Sequence, residues 1–364
     1  MHASIDSALL AAALKSSVAP NTTPHPTLLH ALVCAEGDSI VIETTDSATY
    51  MRHTLPGKVH TPGMALLRVS LLRPIAAAPG EVVLRDDGKV SRGRSNFKVP
   101  AAEIGAWPAE REEQWQPVRI APETLSAAIK SVGYAADDET IYTNIRGLHI
   151  DNGLVWGSDG VSLSYMAVAY SGPSITIPDS QVSRVVALLN EGATIEIGAI
   201  NGDIAGVIRV TDGEKQLSVR LLGAKSTDIR SIVAGSAHSK EHSSIKREPL
   251  LAAVKRFMPF ASILGESKAK GLPVMVLSMV DGDLYLADRA EENREVISDA
   301  VLDAGPNFRA ALDPRRLISA LSSVDSNVIA LHAPESDKKT ASWLLYEDQG
   351  DHEANAHLIV QINL

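Results

Sequence analysis

The chain has 364 residues, of which 45% are apolar and only 4% aromatic, and it carries a formal net charge of −10 at pH 7. This length predicts roughly two to three domains, whose cores must be filled mainly by aliphatic side chains. No apolar run reaches the ~18–20 residues that a membrane-spanning helix needs. The first residues do not resemble a signal peptide, and a single cysteine excludes an internal disulfide. We therefore expect a cytoplasmic protein.

A leucine-rich hexamer that ends in lysine recurs three times, at residues 10–15, 125–130 and 250–255. The copies are 115 and 125 residues apart, whereas solenoid repeats are only ~20–50 residues long. The spacing of the pattern therefore indicates that whole domains are repeated.

Three further elements follow each hexamer in the same order: a short apolar strand that ends in aspartate, a second helix and a second strand. The first strands are predicted at 40–46, 153–159 and 282–288, the helices at 70–78, 178–190 and 313–324, and the second strands at 81–84, 194–197 and 327–331. Two of these helices begin with Pro178-Asp179 and Asp313-Pro314, where aspartate can cap the helix and proline suits its first turn. Because four elements match in order three times, we predict three copies of one domain.

The composition of the connecting segments predicts the domain boundaries. A charged stretch at 109–117 separates the first copy from the second. The segment 234–244 is polar and rich in small residues, so we expect a linker there. The predicted domains are 1–117, 118–243 and 244–364.

The second linker contains a motif that resembles a metal site. His238, Glu241 and His242 match the H-x-x-E-H pattern of inverted zinc metalloproteases, whose two histidines must lie one helical turn apart. The serine-rich segment has no apolar face to support such a helix, so we expect a solvated linker without a metal. A glycine-rich phosphate loop and a G-x-S-x-G elbow are also missing from the sequence. We therefore expect no cofactor and no catalytic residue, and a protein that is not an enzyme.

Basic residues recur at corresponding places on the predicted helices, whereas acidic residues collect in loops. They are Lys15, Lys130, Lys255 and Arg256 on the first helices, and Arg73, Arg184, Arg315 and Arg316 on the second helices. The net negative charge argues against nucleic acid, because affinity for phosphates comes from Lys and Arg. Segregated charges nevertheless permit one basic face in an acidic body. The alternative is that these cations are ordinary solvated side chains of amphipathic helices.

Taken together, these features resemble the beta subunit of bacterial or phage-type DNA polymerase III, the beta sliding clamp. Residues 156–163 are similar to the A-T-D-G-H-R-L turn of the family's middle domain, and residues 97–108 to the strand and F-P segment that close its first domain. Residues 357–364 resemble the family's C-terminal Y-V-V-M-P-M-R-L. The motifs occur in the family's order and spacing, and the resemblance covers essentially the whole chain.

The resemblance implies an α+β fold of three clamp-type domains, each with two helices packed on antiparallel sheet. Two chains would form a head-to-tail homodimer, a six-domain ring around double-stranded DNA that is held independently of its sequence. The eight basic residues named above would face the DNA in the central hole. Phe97 and Val99 of one chain would meet Ile263 and Leu264 of the other across the dimer interface.

The resemblance also implies an apolar pocket for short linear peptides of DNA polymerase, the clamp loader and repair proteins. Its lining would be Ile145, Gly160, Leu163, Thr227, Ile232, Leu358, Val360 and Ile362. Such a groove suits the Leu and Phe anchors of a peptide. The C-terminal members of this set, Leu358, Val360 and Ile362, also fit an ordinary final strand.

The sequence departs from the family at this pocket. Val161 and Ser162 replace the family's His and Arg, Gln361 and Asn363 replace its Pro and Arg, and Ser226-Thr227 replaces its Phe-Pro. The pocket keeps its apolar character but loses a cation and two prolines, which leaves its peptide preference open. Two other functions also stay open: a clamp-fold scaffold or decoy that binds clamp partners without encircling DNA, and an enzyme built on three repeats.

Overall fold

The computed structural model describes residues 1–223, 227–235, 238–263, 273–297, 299–334, 341–347 and 354–362. They belong to two compact units. Unit 1 comprises Met1–Pro122 and Ala187–Leu221, and unit 2 comprises Glu123–Val186 and Leu222–Leu364. The predicted second domain is thus divided between the units. The division into three domains stays a prediction.

The helices are α1 (Ser7–Lys15), α2 (Val69–Ala76), α3 (Pro122–Val132), α4 (Asp179–Val186), α5 (Ile229–Gly235), α6 (Arg247–Ile263) and α7 (Pro314–Ser323). All of these described helices except α5 coincide with helices predicted from the repeats, which confirms those predictions. The Asp6 carboxylate caps α1 by accepting the Ala8 N–H at 2.7 Å, and Asp313 caps α7 by accepting the Arg315 N–H at 2.9 Å. None of the described helices is long and apolar enough to cross a membrane.

Unit 1 contains two antiparallel sheets. Its strands are β1 (His2–Asp6), β2 (His30–Glu36), β3 (Ser39–Thr45), β4 (Thr49–Pro56), β5 (Lys58–Thr61), β6 (Gly63–Arg68), β7 (Glu81–Arg85), β8 (Lys89–Arg92), β9 (Ser95–Lys98), β10 (Ala101–Ala102), β11 (Gln116–Pro117), β16 (Thr194–Gly198), β17 (Val207–Asp212) and β18 (Lys215–Arg220). The strand orders are β5-β1-β7-β8-β9 and β10-β6-β2-β3-β4-β18-β17-β16-β11. The larger sheet crosses the first predicted domain boundary, because β4 pairs with β18 and Tyr50 lies opposite Ser218.

Unit 2 repeats this arrangement with a nine-stranded and a four-stranded sheet. Its strands are β12 (Leu148–Asp151), β13 (Leu154–Ser158), β14 (Ser162–Ala167), β15 (Ile175–Ile177), β19 (His238–Lys246), β20 (Met275–Val280), β21 (Asp283–Asp288), β22 (Arg294–Val296), β23 (Val301–Asp303), β24 (Phe308–Leu312), β25 (Val328–Pro334), β26 (Ser342–Glu347) and β27 (Asn355–Val360). The strand orders are β15-β12-β13-β14-β27-β26-β25-β19-β23 and β22-β21-β20-β24. The larger sheet crosses the second predicted boundary through the pair β14 and β27, in which Leu163 lies opposite Leu358.

The expectation of a linker at 234–244 is wrong for most of that segment. Residues 238–246 form β19, which pairs with β25 and places His242 opposite His332. The two imidazole rings stack with centroids 4.8 Å apart. In an extended strand His238 and His242 are separated by roughly 13 Å, too far to hold one ion. Among the described residues no group of three potential metal ligands is present.

Aliphatic side chains fill the core of each unit, as the composition predicts. In unit 1, Leu10 of α1 and Leu72 of α2 are buried together against the sheets. In unit 2, Leu250 of α6 and Leu317 of α7 are buried in the same way. These two paired-helix layers on antiparallel sheet confirm the predicted α+β fold.

A buried polar network in unit 2 lies where β14 meets β27. The Nδ1 atom of His357 lies 2.7 Å from the Ser164 hydroxyl and 3.1 Å from the Tyr134 hydroxyl. The His357 ring is fully buried, and this burial lowers its pKa to about 4. Burial likewise lowers the pKa of His53 and His149 to about 4. The folded chain therefore keeps these rings neutral at pH values where free histidine is protonated.

Acidification should consequently destabilise the fold between pH 6.5 and pH 4. Over this interval the unfolded chain binds protons that the folded chain excludes, so each of the three rings lowers the free energy of unfolding by about 1.4 kcal/mol per pH unit. His357→Gln should reduce the slope of unfolding free energy against pH by about one proton, measured by urea unfolding at pH 5 to 7. The exposed His25→Gln is the control. An unchanged slope in His357→Gln would contradict the assignment.

Candidate functional site

The turn between β13 and β14 forms one edge of the predicted pocket, and we call residues 159–162 the pocket turn. The Asp159 carboxylate closes it by accepting the backbone N–H groups of Val161 and Ser162 at 2.9 and 2.6 Å. Gly160 has φ +86°, a left-handed conformation that glycine adopts without strain. A Cβ atom on Gly160 would lie 3.6 Å from the ring of Tyr142, so this side of the turn meets an aromatic face.

A buried apolar cluster lies where the floor of the predicted pocket is expected. Leu163 and Leu358 face each other across β14 and β27 and are only 8% and 4% exposed. Ile145 and Val233 pack against the same cluster from the side. The structure therefore brings together three of the predicted lining residues, Ile145, Leu163 and Leu358.

The remaining predicted lining residues lie outside this buried cluster. The Thr227 hydroxyl accepts a hydrogen bond from the Asn144 side chain at 2.5 Å. Ile232 of α5 is 45% exposed. Val360 is half-buried and its N–H donates to the Val161 carbonyl at 2.9 Å, while the half-buried Ile362 donates to the Ala311 carbonyl at 2.7 Å. Backbone hydrogen bonds thus hold the end of β27 to the pocket turn, and the residues after it to β24.

Two large, exposed residues near the pocket turn were not predicted from the sequence. Ile141 and Tyr142 are 80% and 57% exposed, and Tyr142 lies directly beside Gly160. They could have been found as a pair of large apolar side chains in an otherwise polar loop. Clusters of exposed apolar groups mark interaction surfaces.

Arg316 has a partner that the sequence did not indicate. It is predicted to face DNA, and its guanidinium forms an ion pair with Asp159 of the pocket turn. It also donates to the Ser162 hydroxyl at 2.8 Å, and the side chain is only 25% exposed. Ser162 replaces the family's Arg, and Arg316 of α7 therefore brings a positive charge to this turn instead. A local sequence pattern could not show this, because 154 residues separate the two positions.

Comparison with known proteins identifies the fold. No model of a known protein family matches the chain. A beta sliding clamp of Chlamydia trachomatis is 24% identical over 339 residues, which cover 88% of this chain and 78% of that protein. The sliding clamp of Bacillus subtilis has a TM-score of 0.84 at 15% identity, over 100% of this chain and 99% of that one. A Pseudomonas aeruginosa DnaN sliding clamp bound to griselimycin has a TM-score of 0.82 at 19% identity, with both chains covered completely.

The chain has the beta sliding clamp fold. The resemblance inferred from the sequence motifs is confirmed, and it extends over the entire length of the chain.

The helices of this clamp fold carry exposed cations. Lys15, Lys130 and Lys255 are exposed and belong to no ion pair with another described residue. Lys15 and Arg73 line a groove of about 420 Å³ between α1 and α2. The other three bind neighbouring side chains: Arg184 donates to Gln181, Arg256 pairs with Glu295, and Arg315 pairs with Asp313. Acidic residues occur only in the first turns of the described helices, where they suit the helix dipole.

The predicted interface residues differ in accessibility. Phe97 lies on the edge strand β9 and is 37% exposed, whereas Val99 is 1% exposed and belongs to the core of unit 1. Val99 therefore supports β9 from within and has almost no free surface in the single chain. Ile263 is the last residue of α6, and neither its side chain nor Leu264 lies within the described residues.

The link between Arg316 and Asp159 should be measurable as a coupling free energy. Because both side chains are largely buried, the charge-assisted bonds should give a coupling of about 1–3 kcal/mol in a double-mutant cycle of Arg316→Gln and Asp159→Asn. Urea unfolding of the two single variants and the double variant measures it. Arg315→Gln, at the more exposed neighbouring position, is the control and should show no coupling to Asp159→Asn. Strictly additive effects at positions 316 and 159 would contradict the assignment.

Proposed function

We propose that this chain is a DNA sliding clamp that encircles duplex DNA and tethers a replicative polymerase and other partners through its peptide pocket. The observation that carries the proposal is the clamp fold along the complete chain, with 88% of the sequence also aligned to a curated beta sliding clamp. A processivity factor of this kind needs no catalytic residue. The partners that dock in the pocket are the polymerase, the clamp loader and repair proteins.

The ring requires two copies of the chain. The strand β9 ends the smaller sheet of unit 1, so its outer edge has unpaired backbone groups in the described part of a single chain. In the homodimer we place this edge, with Phe97, against Ile263 and Leu264 of the second copy. Covering the edge with these side chains removes a surface that would otherwise favour aggregation.

The cations of the helices would hold the DNA. Exposed lysines on α1, α3 and α6 have no acidic partner among the described residues and are free to contact phosphates. Loose contacts of this type carry no base readout, and they leave the ring able to move along the duplex. The scaffold or decoy function would need the pocket but not these lysines.

Charge reversal tests the proposal. Lys15→Glu, Lys130→Glu and Lys255→Glu together should shorten retention on nicked circular DNA. The salt slope of binding should fall by roughly one for each phosphate contact that is lost. Reversal of Lys58, Lys215 and Lys240, which are exposed on strands, is the matched control.

The same assay separates encirclement from simple adhesion. The wild-type protein should slide off linear DNA with open ends and stay on linear DNA with blocked ends. Light scattering should give a mass near twice 38.7 kDa in both charge variants. Equal retention on open linear and circular DNA would contradict encirclement and favour the scaffold function.

Exposed apolar side chains should dominate peptide binding at the pocket. Ile232→Ser and Tyr142→Ser should each weaken a synthetic peptide ending in Leu and Phe by tenfold or more, since burying such a side chain is worth roughly 1.5–3 kcal/mol. Calorimetric titration measures the affinity. Leu302→Ser, a 53% exposed leucine on β23, is the control. Unchanged affinity in both pocket variants would place the peptide site elsewhere.

A further inference from the structure

The geometry of the pocket turn occurs a second time, in unit 1 between β3 and β4. The Asp46 carboxylate accepts the N–H groups of Ala48 and Thr49 at 2.9 and 2.7 Å, as Asp159 does in the pocket turn. Ser47 occupies the position of the turn's glycine and has φ +79°. A serine rarely adopts this left-handed conformation, so the surrounding structure imposes the shape of the turn.

The strand that flanks the turn is repeated as well. The Arg220 N–H donates to the Ala48 carbonyl at 2.8 Å, and the Val360 N–H donates to the Val161 carbonyl at 2.9 Å. The strand β18 thus stands beside β4 as β27 stands beside β14. The backbone frame of the predicted peptide pocket therefore occurs twice among the described residues, once in each unit.

The second frame borders a cleft of about 560 Å³, which we call the junction cleft. Its lining differs in chemistry from that of the peptide pocket. The register places Tyr50 where the pocket has Leu163, Ser218 where it has Leu358, and Arg220 where it has Val360. The junction cleft therefore has a phenol, a hydroxyl and a guanidinium at the three positions that are aliphatic in the peptide pocket.

Residues 107–115, which we call the strap, border the cleft on its other side. The Trp107 indole N–H donates to Glu43 at 2.9 Å, and Glu110 pairs with Arg209 at 3.0 Å. The Arg209 guanidinium also lies 3.6 Å from the ring centroid of Trp115. Anchored at these points, the strap gives the junction cleft a fixed wall.

The charges in the junction cleft favour an anionic ligand. Arg111 and Arg220 line it, are exposed, and form no ion pair with another described residue. The Glu110 carboxylate is already bound by Arg209, which leaves Glu113 as the opposing charge in the lining. Tyr50 lines the same cleft and its hydroxyl can donate a hydrogen bond; burial raises its pKa. Guanidinium groups beside a phenol match a carboxylate.

We propose that the junction cleft is a second peptide-docking site, which takes an extended segment that carries an acidic side chain. The proposal rests on the proposed function insofar as the peptide pocket is the repeat counterpart of the cleft. One clamp chain would then hold two classes of partner at once, one anchored by apolar side chains and one by a carboxylate.

Selection from a random dodecapeptide display library on the intact wild-type protein tests the proposal. One class of enriched peptides should contain Asp or Glu, and synthetic members of it should lose at least tenfold in affinity when that residue becomes Asn or Gln. The variant Arg111→Gln with Arg220→Gln should lose the same factor, while Arg119→Gln with Arg230→Gln, exposed arginines outside the cleft lining, should not. Unchanged thermal melting should show that the variants fold.

The outcomes separate this proposal from the proposed function. Ile232→Ser should weaken only the peptides that end in Leu and Phe and leave the acidic class unchanged. Acidic peptides that are displaced by short DNA duplexes, or that bind the double arginine variant normally, would overturn the junction cleft as a peptide site. So would the lack of any acidic class. Retention on DNA is measured in a separate assay. A protein that does not encircle DNA can therefore be told apart from a cleft that does not bind acidic peptides.

Discussion

Strand pairing across the repeat boundaries is the constraint on which the rest of the structure depends. A repeat that ended in a free edge strand would leave a row of unpaired N–H and C=O groups. The pair of β4 and β18 removes one such edge, and the pair of β14 and β27 removes another. Each pair brings a turn of one repeat beside the last strand of the next. The proposed peptide pocket and the junction cleft both lie at these places, so both candidate sites follow from how the sheets are completed.

The same two junctions show how one backbone frame can hold different chemistry. At the first, Tyr50 and Ser218 face each other, and at the second, Leu163 and Leu358 do so. The backbone hydrogen bonds of a strand pair fix the positions of the side chains, but they do not depend on which side chains are present. Because the turn is held by its own aspartate in both copies, the lining residues can change without altering the frame.

The sequence was sufficient for the local elements and insufficient for the long-range ones. The helices around Lys15, Lys130 and Lys255 were predictable, because their apolar spacing is visible within a dozen residues. The strand β19 was not, since its polar residues gain their partners from β25, more than 80 residues away. The ion pair of Arg316 could not be predicted for the same reason: its acidic partner belongs to another repeat. The resemblance named Ile145, Leu163 and Leu358, which belong to one cluster in the structure, whereas Ile141 and Tyr142 lie in a loop without periodicity.

The division of the second repeat between the units also determines when unit 1 can form during synthesis. Its nine-stranded sheet needs β16, β17 and β18, which follow β4 by well over a hundred residues. At ribosomal rates of ~5–20 residues per second, β4 would therefore wait roughly 10–30 s for its partner β18. During this interval the nascent chain exposes a long strand edge. This exposed edge follows directly from a sheet that crosses the boundary between two repeats.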